Sequence, residues 1–163
     1  MMIRKIIVPG AFSLLVSLTF LTSVTAQETR SVNWLTFEQL EDSLTVQPKK
    51  VFIDFYTDWC TYCRKMDKVV FTKPEVVKLL NEEYYAVRFD AETESVVTFG
   101  GRKFVNEQIG KTRKPIHQIA QLLASRDGEF NPPAMVVLNE EFQLKDRYFK
   151  YLDSKKLLKA LNP

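Results

Sequence analysis

From residue 36 onward, apolar positions switch repeatedly between a helical and a strand rhythm. Thr36-Phe37-Glu38-Gln39 has the pattern of a capping box, and Phe37, Leu40 and Leu44 fall on one helical face. Pro48 ends that helix. Residues 50–57 are almost continuously apolar and β-branched or aromatic, which predicts a strand covered on both faces, with one acid, Asp54, inside it. Asp58-Trp59-Cys60-Thr61-Tyr62-Cys63 follows, leading into a helical run through Met66, Val69 and Val70. Thr72-Lys73-Pro74-Glu75 restarts a helix, with Thr72 as cap, Pro74 in the first turn, and Val76, Val77, Leu79 and Leu80 as its apolar positions.

The second half continues the alternation. Residues 84–90 form a strand, and residues 95–99 and 102–105 flank Gly100-Gly101, a two-residue hairpin signal. Residues 115–124 form a helix with Ile116, Ile119, Ala120 and Leu123 on one side. Pro132-Pro133 precedes a buried strand at 134–138, and Asn139-Glu140-Glu141 turns the chain into a last strand at 142–149. Asp153 caps a final helix carrying Leu157, Leu158 and Leu161. Residues 27–35 read as a polar lead-in, and there is no internal repeat or low-complexity tract. Buried strands alternating with helices specify an α/β layered sheet with helices on both faces, and the last two strands add an antiparallel edge.

Residues 1–26 follow a different rule. Arg4 and Lys5 precede an apolar stretch from Ile6 to about Val24, broken by Pro9-Gly10, with no acid before Glu28. Val24-Thr25-Ala26 supplies the small residues of a signal-peptidase site, so this segment is expected to be a secretory signal peptide cleaved after Ala26. An uncleaved membrane anchor is the rival, because the stretch nears the length needed to span. Either way the domain is expected at residues 27–163, in the periplasm or outside the cell.

Charge and cysteine content narrow the function. The formal charge is +3. Cleavage after Ala26 would leave about 137 residues with a net charge near +1, which removes the compositional case for nucleic-acid binding. The 2 cysteines and 1 histidine cannot fill a structural Cys/His zinc site, so no metal and no cofactor is expected.

The two cysteines are placed for redox chemistry. Cys60-Thr61-Tyr62-Cys63 lies where a buried strand gives way to a helix, so both sulfurs sit on the first turn within bonding reach. Cys60 meets unpaired backbone N–H groups and the positive end of the helix dipole, which stabilise a thiolate. Cys60 would attack a disulfide and Cys63, one turn deeper, would resolve the mixed disulfide. The alternative is a structural disulfide. Closing so short a loop contributes only about 2 kcal/mol, and a chain of this length can bury enough core without a staple.

Residues 51–66, with strand, acid, Trp59 and the Cys60/Cys63 pair, resemble the active-site region of the thioredoxin family. Residues 133–138 resemble the family's cis-proline and the strand after it. Residues 66–80 are similar to secreted thioredoxin-like proteins and to the C-terminal domain of the transmembrane reductase DsbD.

The resemblance implies a thioredoxin-like fold: a mixed central sheet flanked by helices on both faces, here with a hairpin-plus-helix insertion at about 94–128. It implies a thiol–disulfide oxidoreductase with protein disulfide substrates, a membrane thiol relay as electron donor, and a monomeric state. Asp54 would relay a proton to Cys63. A carboxyl in an apolar strand has a raised pKa and can serve as base or acid, whereas the plainer alternative is an acid paired with a cation. Arg88 would be its basic neighbour. Trp59, Tyr62 and Pro133 would meet substrate, with Pro133 cis.

Thr61-Tyr62 places no charge between the cysteines, which favours a reductase or isomerase over a strong oxidant. The sequence departs from the family at Pro132, which lacks the N–H that pairs with substrate, at Lys68, which replaces a helix-kinking proline, and in the missing Gly before the last helix. His117 is expected to be a packed or partly exposed side chain. A binding module with a passive disulfide, holding a partner through 94–128, is the alternative from another class.

Overall fold

A computed structural model describes residues 31–162; the expected signal peptide and its cleavage site lie outside them. Five strands form the central sheet. These are β1 (Trp34–Leu35), β2 (Lys50–Tyr56), β3 (Tyr84–Asp90), β8 (Ala134–Leu138) and β9 (Leu144–Tyr148), in the order β1-β3-β2-β8-β9. β1 and β2 run parallel to β3, while β8 is antiparallel to β2 and β9. β8, wholly apolar, and β2, apolar through its middle except for Asp54, lie inside the sheet, as runs buried on both faces require.

Alternating side chains divide the core in two. Phe52, Met135 and Val137 join one cluster with Met66 of α2 (Thr61–Val69), Val76 and Leu80 of α3 (Pro74–Glu83), and Leu157 and Leu161 of α5 (Ser154–Leu161). Val51, Ile53, Phe55 and Val136 join the other, under α1 (Phe37–Val46) and α4 (Gln118–Ala124). Asp54, on the same strand face as Phe52, therefore points toward the α2 side.

Local signals account for most boundaries. The capping box forms, with Gln39 N–H donating to Thr36 Oγ1 and Gln39 Oε1 accepting from Thr36 N–H. Asp153 caps α5 through Lys156 N–H. β4 (Val97–Phe99) and β5 (Arg102–Phe104) pair across Gly100-Gly101, both at positive φ.

Five local expectations change. Thr72 does not cap α3: Lys73 is the N-cap without a side-chain bond, and the Thr72 hydroxyl donates to the Lys68 carbonyl, closing α2. α4 begins at Gln118, because His117 takes the cap and Pro115-Ile116 stay extended loop. Phe142 sits at φ 59 in the turn, so β9 starts only at Leu144. The lead-in includes β1, whose Trp34 packs edge-on against Phe71. Ser125–Phe130 forms a second hairpin of β6 (Ser125–Arg126) and β7 (Glu129–Phe130), turned by Asp127-Gly128 with both residues at positive φ. Asp-Gly is a two-residue hairpin signal, and here it forms one. Among the described residues no helix is long and apolar enough to cross a membrane.

Candidate functional site

β2 runs out at Tyr56, and a tight turn closed by Cys60 N–H to Thr57 O at 3.1 Å carries the chain into α2. Cys60 is the N-cap of α2. Its sulfur accepts from Cys63 N–H at 3.1 Å, a bond that satisfies one of the orphan donors at the helix start. Cys60 and Cys63 are joined by a disulfide, and both are buried. Their neighbours Trp59 and Tyr62 are 46% and 58% exposed, so the disulfide lies between two projecting aromatics.

Trp59 is held on two sides. Its Nε1–H donates to the Glu92 carboxylate, with both oxygens at 3.0 Å, and the Lys114 ammonium stands 3.8 Å from its ring centroid. Tyr62 contacts Tyr151, over which Lys65 lies at 4.8 Å. Arg64 closes the turn by donating to the Asp58 carbonyl.

Asp54, on the face of β2 turned toward α2, is 2% exposed. Arg88 is directly opposite it on β3, as expected of its basic neighbour, with Nε 3.8 Å from Asp54 Oδ2. The guanidinium's short bond goes instead to Asp67 Oδ2 at 2.6 Å. Burial therefore dominates and raises the Asp54 pKa from 3.8 to about 7, against the pull of Arg88 and with a small push from Asp67. Asp67 is one turn beyond Cys63 on the same stripe of α2, so Arg88 links the buried acid to the helix that carries the disulfide.

The Pro132–Pro133 peptide bond is cis. Ala134, the next residue, pairs with Phe55, which brings Pro133 to the end of the sheet where β2 leaves for the Cys60 turn. Lys68 is exposed on α2, where its carbonyl accepts from the Thr72 hydroxyl.

Glu92, Lys114, Asp67 and Tyr151 belong to this neighbourhood and were not singled out from the sequence. They come from four separate elements, and a charged residue on a loop carries no pattern that reveals its tertiary partner. His117 is fully buried and outside the site. Its Nδ1 accepts from Ile119 N–H and its Nε2–H donates to the Phe104 carbonyl, each at 3.2 Å, which defines a neutral imidazole. Burial pushes its pKa below 6.5, more than the Phe104 hydrogen bond raises it.

A family described as thioredoxin-like matches residues 33–119. The DsbD thiol:disulfide interchange protein of Photorhabdus laumondii is 37% identical over 65 residues, covering 37% of this chain and 11% of that protein. The DsbD of Campylobacter jejuni is 24% identical over 155 residues, 94% of this chain and 23% of its own length. The chain thus spans less than a quarter of these relatives. Among solved structures, the oxidised C-terminal domain of Neisseria meningitidis DsbD superposes with a TM-score of 0.52 at 20% identity, covering 77% of this chain and 89% of that domain.

Proposed function

The chain belongs to the thioredoxin-like family, and from that premise we propose that it is a thiol–disulfide oxidoreductase acting on protein disulfides. The observation that carries this is the Cys60–Cys63 disulfide at the start of α2, flanked in the chain by exposed Trp59 and Tyr62, on a helix that Arg88 and Asp67 connect to a buried acid with a pKa of about 7.

In the reduced protein the Cys60 thiolate attacks one sulfur of the substrate disulfide. The substrate S–S bond breaks, one substrate sulfur leaves as a thiolate and is protonated, and a Cys60 mixed disulfide remains. The Asp54 carboxylate then accepts the proton of the Cys63 thiol. The Cys63 thiolate attacks Cys60 Sγ, expels the second substrate thiolate, and restores the Cys60–Cys63 bond. Two electrons and two protons pass to the substrate. The Cys63 N–H and the helix dipole favour the Cys60 thiolate. Trp59, Tyr62 and Pro133 form the substrate-contacting surface, and Pro132 contributes no N–H to pair with it.

A further cycle needs an external dithiol, for which the DsbD relatives suggest a membrane thiol relay. The same likeness supports a periplasmic location; the basic and apolar pattern of residues 1–26 supports delivery by a signal peptide, the uncharged Thr61-Tyr62 pair supports a reductase or isomerase, and the protein is proposed to work as a monomer. Wild-type protein should reduce insulin disulfides in the presence of a dithiol, and Cys60→Ser should lose that activity entirely. Equal rates for the two proteins would refute the proposal. Equilibration with glutathione should give a potential nearer thioredoxin's, about −270 mV, than DsbA's, about −120 mV; a value near the latter would make the protein an oxidant.

A further inference from the structure

The insertion meets the reactive end of the molecule through one side chain, Lys114, and the chain on either side of it is fastened. Asn106, 7% exposed, donates to the carbonyls of Thr93 at 3.2 Å and Pro115 at 2.9 Å. Gln108 Oε1 accepts from Ile116 N–H at 3.0 Å. His117 N–H donates to Ala91 O at 2.8 Å, and Gln118 N–H donates to Val105 O at 3.1 Å. Lys114 enters this bonded stretch. The ring of Pro115 biases the Lys114 backbone toward extended conformations, and Asn106 holds the Pro115 carbonyl. The place of the Lys114 backbone is thus set by its neighbours, although the residue is exposed.

The Lys114 ammonium stands 3.8 Å from the centroid of the Trp59 ring, the shortest cation–ring approach among the described residues. Indole is the strongest aromatic partner for a cation, and the attraction acts within about 6 Å. Glu92 holds the other side of the ring system, accepting from Nε1–H, and is steadied in turn by its own N–H bond to Asp90 Oδ1 at 3.0 Å. The surroundings favour a cation here. Burial raises the Asp90 pKa and the Glu92 N–H lowers it, while the charges of Asp58 and Glu92 push it up again, so these carboxylates share the turn. An ammonium on the Trp59 ring stands in the field of that acidic turn, which adds to the pull of the ring face. Trp59 is 46% exposed. Without these contacts its indole would keep rotamer freedom and lose it on meeting a substrate.

We propose that Lys114 is a positioning residue for exchange with protein disulfides: together with Glu92 it fixes the Trp59 indole, next to Cys60 in the chain, in the orientation that a substrate polypeptide meets. This rests on the oxidoreductase function and adds to it a residue that acts through Trp59 and not on the sulfurs. The insertion then has a task at the reactive end, which is to carry Lys114 to the indole. Ordering the indole in advance removes part of the entropy cost of docking a polypeptide. The effect therefore belongs in KM for a protein substrate and leaves the sulfur chemistry unchanged. A small disulfide that needs no indole contact gains nothing from it.

The sequence holds 2 tryptophans, so a Trp34→Phe parent reports on Trp59 alone. In that parent, Lys114→Met removes the cation at similar length and Lys114→Arg restores one. In the reduced protein, Lys114→Met should raise the amplitude of fast indole motion in time-resolved fluorescence anisotropy about twofold. It should raise KM for insulin about three- to fivefold and leave kcat within about twofold of the parent. Lys114→Arg should match the parent in both readouts, and exchange with hydroxyethyl disulfide should be the same in all these proteins. Lys114→Met indistinguishable from the parent overturns the proposal, as does Lys114→Arg behaving like Lys114→Met. A raised KM with unchanged indole motion also overturns it, because the cation would then act on the substrate directly. So does freer indole motion with unchanged KM. A loss of hydroxyethyl disulfide exchange confined to Lys114→Met would place the residue in the chemistry and overturn the proposal. No exchange by the parent with either substrate, with indole motion still freed by Met and restrained by Arg, would overturn the oxidoreductase function and still support the hold of Lys114 on Trp59.

Discussion

Asp54 illustrates how one side chain couples stability to chemistry. Its folded pKa of about 7 lies above the ordinary value of 3.8, so the folded state holds a proton that the unfolded chain releases. Its contribution is full below pH 4, is lost as pH rises toward 7, and stays lost above. Asp54→Asn should therefore be more stable than wild type at pH 8, by roughly 2–4 kcal/mol, and differ little at pH 4. Urea denaturation at the two pH values measures this. On the proposed mechanism the same variant should resolve mixed disulfides at least about tenfold more slowly, because Cys63 would lose its proton acceptor. Asp54 was legible in the sequence because an acid inside an apolar strand is conspicuous. Arg88 was legible only as a neighbour, since its division between Asp54 and Asp67 depends on side-chain geometry across two elements.

Helices and strands were predicted where one signal acts alone, and shifted where two compete. The Thr36 capping box needs nothing beyond its own turn, and it forms. Thr72 resembles a cap equally well, but its hydroxyl serves the preceding helix, and a local pattern cannot rank the two uses. Within the hairpin-plus-helix insertion, residues 106–114 had no assigned element and 115–117 were read as helix, because Asn106, Gln108 and His117 bond to backbone groups outside their own turn. Thr36→Ala should cost about 1 kcal/mol in thermal or urea unfolding. His117→Ala should cost more, about 2–4 kcal/mol, since it opens a cavity beside Phe89 and leaves Ile119 N–H and Phe104 O without partners. Backbone hydrogen exchange in the His117→Ala variant should rise in residues 104–119 before it rises in β2. Uniform acceleration would show that the loop is not a separately fastened unit.

Across the whole molecule, the sheet and its two hydrophobic faces hold three things at one end: the start of α2, the cis proline segment and the base of the added loop. The alternating rhythm of the sequence was enough to predict layers and central strands, because burial on both faces leaves continuous apolar runs. It could not supply the short edge β1, the turn-driven β6–β7 pair, or the meeting of Trp59 with Lys114, which arise only once the layers are assembled. On the proposed function this assembly makes Cys60 the nucleophile and Cys63 its resolving partner. Mixing reduced Cys63→Ser with insulin, and following adducts by non-reducing electrophoresis and mass spectrometry, separates these roles from a passive crosslink. A persistent mixed disulfide through Cys60 is predicted. Absence of any Cys60 adduct, with the variant folded, would contradict it and leave the disulfide a passive crosslink.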